Sequence, residues 1–101
     1  PIGTDREGNE ISLLDVIEQD QVDVIDRMEV EDKLHRLKGL ITDRLSDREQ
    51  EIILMRYGLL SGQEITQREI GHRLGISRSY VSRIEKRALE KLKEGYEAFG
   101  M

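Results

Sequence analysis

A chain of 101 residues supports one small hydrophobic core and is too short to enclose a deep catalytic cleft. It is 37% hydrophobic and 37% charged, with no apolar run long enough for a membrane span or signal peptide, which excludes membrane and disordered classes and predicts a soluble helical protein. The absence of cysteine excludes disulfides, thiolate catalysis and cysteine-based zinc sites, and it fits a reducing cytoplasm.

The net charge of -5 is unevenly distributed along the chain. Residues 1–47 hold thirteen acidic and six basic side chains, whereas residues 66–93 hold three acidic and eight basic ones. A clustered cationic stripe attracts phosphate even on an acidic chain. The sequence therefore predicts an acidic segment followed by a basic segment with affinity for phosphate.

The first 25 residues predict an acidic arm with turns around Gly8. Aliphatic and acidic residues then mix without a sustained period through residues 13–28, which predicts one short helical turn in a largely irregular segment. Because the chain begins with Pro1 and not with methionine, we expect it to be a piece of a longer protein. The predicted organisation is an arm over residues 1–25 and a helical domain over 26–101.

Two capping boxes mark the starts of the next two helices. The motif "DRME" at Asp26 starts a helix that we expect to end around Thr42, and "SDRE" at Ser46 starts one that we expect to stop at Gly58. Their inward-facing residues recur at helical spacing: Val30, Leu34, Leu37 and Ile41 in the first helix, and Ile52, Ile53 and Met55 in the second.

The last third of the chain predicts a helix-turn-helix motif over about residues 66–94. Thr66 and Glu69 form a third capping box, Gly75 permits a left-handed turn, and Ser77 is an N-cap for a long final helix. The predicted fold is therefore all-α, with four to five short helices ending in a helix-turn-helix. The residues expected to pack the motif are Ile65, Ile70, Gly71, Leu74, Ile76, Val81, Ile84, Ala88 and Leu92.

The final helix has an apolar side and a cationic side. At about 100° per residue, its hydroxyls and cations fall opposite its aliphatic residues. Such a face on the second helix of a helix-turn-helix matches base edges in the major groove and the flanking phosphates. A solvated charged face is the alternative, but its coincidence with a complete motif favours double-stranded DNA as a partner.

Two stretches, "LSDREQEIILMRYGL" and "TQREIGHRLGISRSYVSRIEKRALEKL", closely resemble the C-terminal promoter-recognition domain, conserved region four, of bacterial sigma factors of the main family. Within them, "ISRSYVSRIEKRAL" is most similar to sporulation sigma factors of the mother-cell type. Upstream, "PIGTDREGNEISLLDVI" resembles the region 3.2 linker of that family. The resemblance implies a cytoplasmic transcription-initiation protein that recognises promoters together with RNA polymerase.

The resemblance also implies roles for residues on the final helix, which in the family enters the major groove of the -35 promoter element. Arg78 and Arg83 are the best candidates for base reading, because a guanidinium group pairs with a guanine edge through two hydrogen bonds. Ser79 and Ser82 stand where the housekeeping members carry larger charged side chains, so the resemblance does not imply the housekeeping -35 sequence. The predicted base-reading residues are Arg78, Ser79, Ser82, Arg83 and Lys86.

Phosphate contacts are implied at two further places. Arg48 and Arg56 match family arginines that hold the DNA backbone, with salt bridges to neighbouring acids as the alternative. Thr66, Gln67 and Arg68 lie at the N-terminus of the first helix of the motif, where free amides attract phosphate.

The resemblance further implies contacts with the RNA polymerase core, through the β flap and β′, and an anti-sigma factor as another partner. Tyr57, Leu59 and Leu60 are the candidates for the groove that holds the flap, whereas we expect most other aliphatic residues of this region to form plain core. The acidic residues implied to lie in the nucleic-acid path of the polymerase are Asp5, Glu7 and Glu10.

Two other functions stay open on the sequence. A response-regulator output domain also begins with an "L-S/T-x-R-E" helix, although "SRSYVSRIEKRALEKL" after Gly75 has the sigma form. A protein-interaction module that binds polymerase or an anti-sigma protein alone would show no affinity for a DNA duplex at low salt.

An enzyme is the class that the sequence supports least. Glu69 and His72 have the i, i+3 spacing of half a di-iron site, but one copy without matching helices is a weak signal. The sequence has no glycine-rich phosphate loop and no nucleophile elbow. We therefore expect no catalytic residue, no metal and no cofactor.

Overall fold

The computed structural model describes residues 6–19 and 29–99, and within these ranges the chain forms five α-helices and no strand. The all-α prediction ending in a helix-turn-helix is thus confirmed. No helix in the described ranges is both long and apolar enough to cross a bilayer. The helices are α1 (Arg6–Glu18), α2 (Val30–Arg44), α3 (Asp47–Arg56), α4 (Gln67–Leu74) and α5 (Arg78–Phe99).

Side-chain caps fix the starts of the last three helices. Ser46 accepts from the Glu49 amide at 3.2 Å while the Glu49 carboxylate accepts from the Ser46 amide at 2.8 Å, so the predicted capping box of α3 is confirmed. Ser77 accepts from the Tyr80 amide at 3.1 Å and begins α5. These caps satisfy amides that would otherwise have no partner in the first turn.

The predicted capping box of α4 is only half formed. The Thr66 hydroxyl accepts from the Glu69 amide at 3.1 Å, as expected. The Glu69 carboxylate, however, accepts from Arg73 Nε at 3.1 Å, one helical turn further on, and does not return to the cap. An i, i+4 ion pair therefore takes the side chain that sequence reasoning assigned to the cap.

The prediction of a largely irregular acidic arm is wrong for residues 6–18, which form α1. Leu13, Leu14 and Ile17 of this helix are almost fully buried in the main core. Asn9 Nδ2 donates to two carbonyl oxygens of the α3–α4 loop, those of Gly58 at 3.1 Å and Gly62 at 2.8 Å. The apolar stripe is only two turns long, so α1 owes its stability to packing on α2 and α5, which local periodicity does not reveal.

Helix α2 differs from its prediction at both ends. Its described part begins after Glu29, and the capping box expected at Asp26 lies outside the described residues. It ends at Arg44, one half-turn beyond Thr42. Val30, expected inside, is half exposed because it occupies the first helical position, before the buried stripe of Leu34, Leu37 and Ile41 begins.

Two apolar clusters lie on either side of α3. Neighbouring residues Ile52 and Ile53 are both fully buried, but Ile53 belongs to the main core with α1, α2 and the second half of α5. Ile52 belongs to a smaller cluster with Ile70 of α4 and Val81 of α5. The helix-turn-helix therefore has its own small core, and α3 and α5 join it to the rest of the fold.

The turn between α4 and α5 requires its two glycines. Gly75 has φ of 70°, in the left-handed region that glycine adopts without strain. The Ile76 amide returns to the Gly71 carbonyl oxygen at 2.9 Å, which closes the end of α4. A Cβ atom added to Gly71 would lie 2.6 Å from the Ile76 carbonyl oxygen, so the tight turn needs a residue without a side chain there.

Candidate nucleic-acid interface

The free face of α5 is polar and cationic over its first three turns. Val81, at the centre of the opposite side, is fully buried, so the polar side of the helix faces outward. Ser82 is partly covered, and the other predicted base-reading residues are exposed. The structure thus brings together on one face the residues Arg78, Ser79, Ser82, Arg83 and Lys86.

The start of α4 lies beside this face. Thr66 is occupied as the N-cap, and Arg68 is exposed. Gln67 is partly buried, and its Nε2 donates to Glu85 Oε1 of α5 at 2.7 Å. A shallow groove between the two helices is lined in part by Gln67, Ser82 and Lys86, so the N-terminus of α4 and the free face of α5 open onto one surface.

The two candidate arginines of α3 have different surroundings. Arg48 is exposed, with Glu51 3.9 Å away, a pair too loose to hold the guanidinium. Arg56 Nε lies 3.5 Å from Glu85 Oε1, is itself buried, and has no hydrogen-bond partner within the described residues. About a third of the Arg56 side chain, 35%, is exposed.

Sequence reasoning missed two residues of this region. Glu85 lies in the apolar stripe of α5, four residues after Val81 and three before Ala88, and is buried. It contacts Arg56 of α3 and Gln67 of α4. The signal that could have identified Glu85 from the sequence is a charged residue within an apolar stripe. Tyr80 is half exposed in the first turn of α5, next to Ser79. The helical spacing of about 100° per residue places it beside the free face.

The candidates for the flap groove lie in two different environments. Tyr57 and Leu59 are partly buried against the main core, and the Tyr57 hydroxyl lies 3.5 Å from Glu85 Oε2. Burial, and next the negative charge of Glu85, raise the pKa of Tyr57 to about 12. Leu60 is 65% exposed and lines a shallow apolar groove on α3 with Leu54 and Met55.

The acidic residues of the first helix are only partly described. Glu10 pairs with Lys38 of α2, with Oε2 and Nζ 3.2 Å apart, and is therefore part of the packed structure. Asp5 and the side chain of Glu7 lie outside the described residues. In the described part of the chain no group of three or more potential ligands is placed to hold a metal, and the partner of Glu69 is Arg73, not His72.

Fold and surface together define a helix-turn-helix domain whose second helix exposes a cationic face. The chain belongs to the sigma-70 region 4 family, which matches residues 43–94. This confirms the resemblance to sigma factors noted in the sequence. No solved structure matches the chain at a significant level.

Three relatives cover nearly the whole chain. The RNA polymerase sigma-K factor of Bacillus subtilis (strain 168) is 58% identical over 91% of this chain and 31% of its own length. The RNA polymerase sigma-28 factor of Bacillus thuringiensis subsp. kurstaki is 55% identical over 91% of this chain and 38% of its own. The RNA polymerase sigma-E factor of Clostridium acetobutylicum is 41% identical over 93% of this chain and 40% of its own. The chain thus spans between about a third and two fifths of these relatives.

Proposed function

We propose that this chain is the promoter-recognition part of an RNA polymerase sigma factor and that it reads the -35 element by placing α5 in the major groove. The observation that supports this most strongly is the complete helix-turn-helix with five hydroxyl and cationic residues on the free face of its second helix. Membership of the sigma-70 region 4 family favours this function over a response-regulator output domain.

The free face of α5 supplies the base contacts in this proposal. Arg78 and Arg83 are exposed and long enough to reach guanine edges from the first two turns, where recognition helices make their base contacts. Ser79 and Ser82 bring short hydroxyls that accept or donate, so they tolerate more than one base. Lys86, one turn further on, adds a positive charge at the rim of the groove.

Phosphate contacts flank the base contacts. The first turn of α4 offers free amides and the exposed cation of Arg68, and both favour a phosphate. On α3, the Arg56 side chain is 35% exposed with its Nε 3.5 Å from Glu85, and the half-exposed Arg48 pairs only loosely with Glu51. These contacts set the position of the domain on the duplex without reading sequence.

Docking on the polymerase β flap is the second part of the proposal. The groove on α3 and the loop after it is lined by the apolar residues Leu54, Met55 and Leu60 and by the polar residues Asp47, Gln50 and Glu51. An apolar helix with polar edges fits such a groove. Leu60 is thus the strongest of the three candidates, because Tyr57 and Leu59 already pack against the core.

The test is selection of bound duplexes from a randomised pool at low salt, followed by fluorescence anisotropy on the enriched duplex. We expect the chain to enrich one short motif, and Arg83→Ala to relax the preference at one position by about tenfold, since one bidentate contact discriminates by about 1–3 kcal/mol. Enrichment of no motif would count against promoter reading by this chain.

Arg44→Ala is the matched control. It removes the same charge as Arg83→Ala, and Arg44 lies near Gly95 of α5. Gly95 is twelve residues after Arg83, which corresponds to about 18 Å along the helix. This variant should lose some affinity for every duplex and leave the motif unchanged. If both variants relax the motif equally, the effect is one of net charge and Arg83 does not read a base.

A further inference from the structure

A buried carboxylate lies in the third turn of the proposed recognition helix, α5. Glu85 is only 8% exposed, although it lies between Ile84 and Lys86 on the helix that faces DNA. Burying a carboxylate is costly unless hydrogen bonds and opposite charges compensate for the lost water. The groups that compensate for the burial of the Glu85 carboxylate therefore indicate its role.

The partners come from two other helices. Gln67, the first residue of α4, donates to Glu85 Oε1 at 2.7 Å, and Arg56 at the end of α3 places its Nε 3.5 Å from the same oxygen. Tyr57 places its hydroxyl 3.5 Å from Oε2. The raised pKa of Tyr57, caused first by burial and then by the Glu85 charge, fits a phenol held beside a carboxylate. One side chain of α5 is thus fixed from both neighbouring helices.

The contacts of Glu85 give the helix-turn-helix core a directional interaction that its apolar contacts do not provide. The other contacts of the helix-turn-helix core are aliphatic, such as those of Ile70 and Val81, and apolar packing has no preferred direction. A hydrogen bond such as that from Gln67 to Glu85 weakens steeply when its geometry is disturbed. Glu85 therefore resists rotation of α5 about its own axis, and Ser82 and Lys86, three residues before it and one after, follow that rotation.

We propose that Glu85 is a positioning residue for DNA reading: its carboxylate holds α5, the start of α4 and Arg56 in one arrangement, so that base contacts and phosphate contacts share a single register. The inference rests on the proposed function and adds to it a residue that touches no base. Of the two phosphate-contact candidates near this carboxylate, Gln67 donates a hydrogen bond to Oε1, and Arg56 places its Nε 3.5 Å from the same oxygen as an ion pair.

The test is Glu85→Gln in the full chain, with the duplex enriched by the wild type and a shuffled duplex of equal length as probes. The substitution keeps the shape and removes the charge. Losing a negative charge near DNA tightens binding to both duplexes alike, so the readout is the ratio of the two affinities. We expect that ratio to fall about tenfold, with helical content unchanged by circular dichroism.

Glu49→Gln is the matched control, because Glu49 is an equally buried carboxylate, 7% exposed, paired with Lys91 Nζ at 2.9 Å. It lies in the first turn of α3 and pairs with the second half of α5, away from the first turns of α5 that are proposed to read DNA. We expect it to lower the melting temperature as much as Glu85→Gln and to leave the affinity ratio unchanged. An unchanged ratio for Glu85→Gln with a lowered melting temperature would make Glu85 merely structural and overturn the inference.

Gln67→Ala provides a second test should Glu85→Gln fail to fold. Loss of a phosphate contact alone weakens binding to both duplexes equally, whereas loss of positioning lowers the ratio. We expect a fall of about threefold in the ratio, and an equal weakening on both duplexes would overturn the inference. If the wild-type chain prefers neither duplex, the proposed function fails, and the inference about Glu85 fails with it. If the wild type prefers one duplex and both variants keep that preference, only the inference about Glu85 fails.

Discussion

At the scale of single residues, small side chains and buried charges decide how the recognition helix is presented. Gly71 allows the α4–α5 turn to close on its backbone, and Glu85 binds groups from α3 and α4. Neither residue need touch DNA. In the proposed function, both residues would set the angle and rotation of α5, on which base contacts depend.

Gly71→Ala should destabilise the fold by about 1–3 kcal/mol, because the added Cβ would lie 2.6 Å from the Ile76 carbonyl oxygen, a backbone atom that cannot move aside. Gly39→Ala is the matched control, since a Cβ at this position of α2 meets nothing within 4 Å. It should stabilise the helix by about 0.5–1 kcal/mol. Urea denaturation of both variants measures the difference, and equal shifts would show that the turn relaxes.

At the scale of elements, α1 shows how the domain is held together outside the helix-turn-helix. The first helix contributes three buried aliphatic residues and two ion pairs, those of Glu10 with Lys38 and Glu18 with Lys33. Tyr96 near the end of α5 donates to Glu18 at 2.6 Å. Helix α1 is therefore part of the structure that supports α5.

Ile17→Ala should lower the free energy of unfolding by about 2–5 kcal/mol, since the fully buried side chain leaves a cavity between α1 and the main core. Asp15→Ala on the exposed side of the same helix should change it by less than about 0.5 kcal/mol. Chemical denaturation compares the two. If Ile17→Ala behaves like Asp15→Ala, α1 does not pack on the core in solution.

Glu49 should make the fold sensitive to acid. Burial alone would raise the pKa of its carboxyl group, but hydrogen bonds from Lys91 and Ser46 and the Lys91 charge lower it below the usual 4.5. The stabilisation is complete above about pH 4.5, where the unfolded-state group is ionised, and is lost as pH falls through the lower folded-state pKa. Thermal melts from pH 7 to 3 should show a shallower acid loss for Glu49→Gln, and parallel curves would exclude this role.

At the scale of the whole molecule, a net charge of -5 opposes the attraction of the basic segment for DNA. We expect the chain to bind a duplex weakly by itself, because a stripe that meets about four to six phosphates supplies a modest, salt-dependent free energy. Within a polymerase, tethering would replace intrinsic affinity by a high local concentration. Tight binding at physiological salt would contradict this view.

Affinity for the enriched duplex should fall about 10²- to 10³-fold between 50 and 200 mM salt, as release of counterions from that number of phosphates requires. Deleting the acidic segment is a poor control, because α1 is part of the core. Neutralising the exposed acids Asp15, Glu31 and Asp43 changes the net charge from -5 to -2 and leaves the core intact. It should tighten binding to all duplexes alike, and salt-independent binding would exclude a phosphate-led interaction.

The sequence by itself determined the elements whose signals are local. Ser46, Thr66 and Ser77 cap their helices because an N-cap depends on residues within one turn, and Gly75 takes the left-handed turn because only its own backbone conformation is at stake. The exposed face of α5 was predictable for the same reason, since helical period alone separates Arg83 from Val81.

Only the tertiary structure decided what depends on partners far along the chain. Helix α1 forms because α2 and α5 cover its short apolar stripe, and Asn9 finds its carbonyl acceptors about fifty residues away at Gly58 and Gly62. Glu85 is buried because Arg56 and Gln67 converge on it from two helices. Local periodicity carries no record of such contacts, because packing and charge pairing are fixed only when the helices meet.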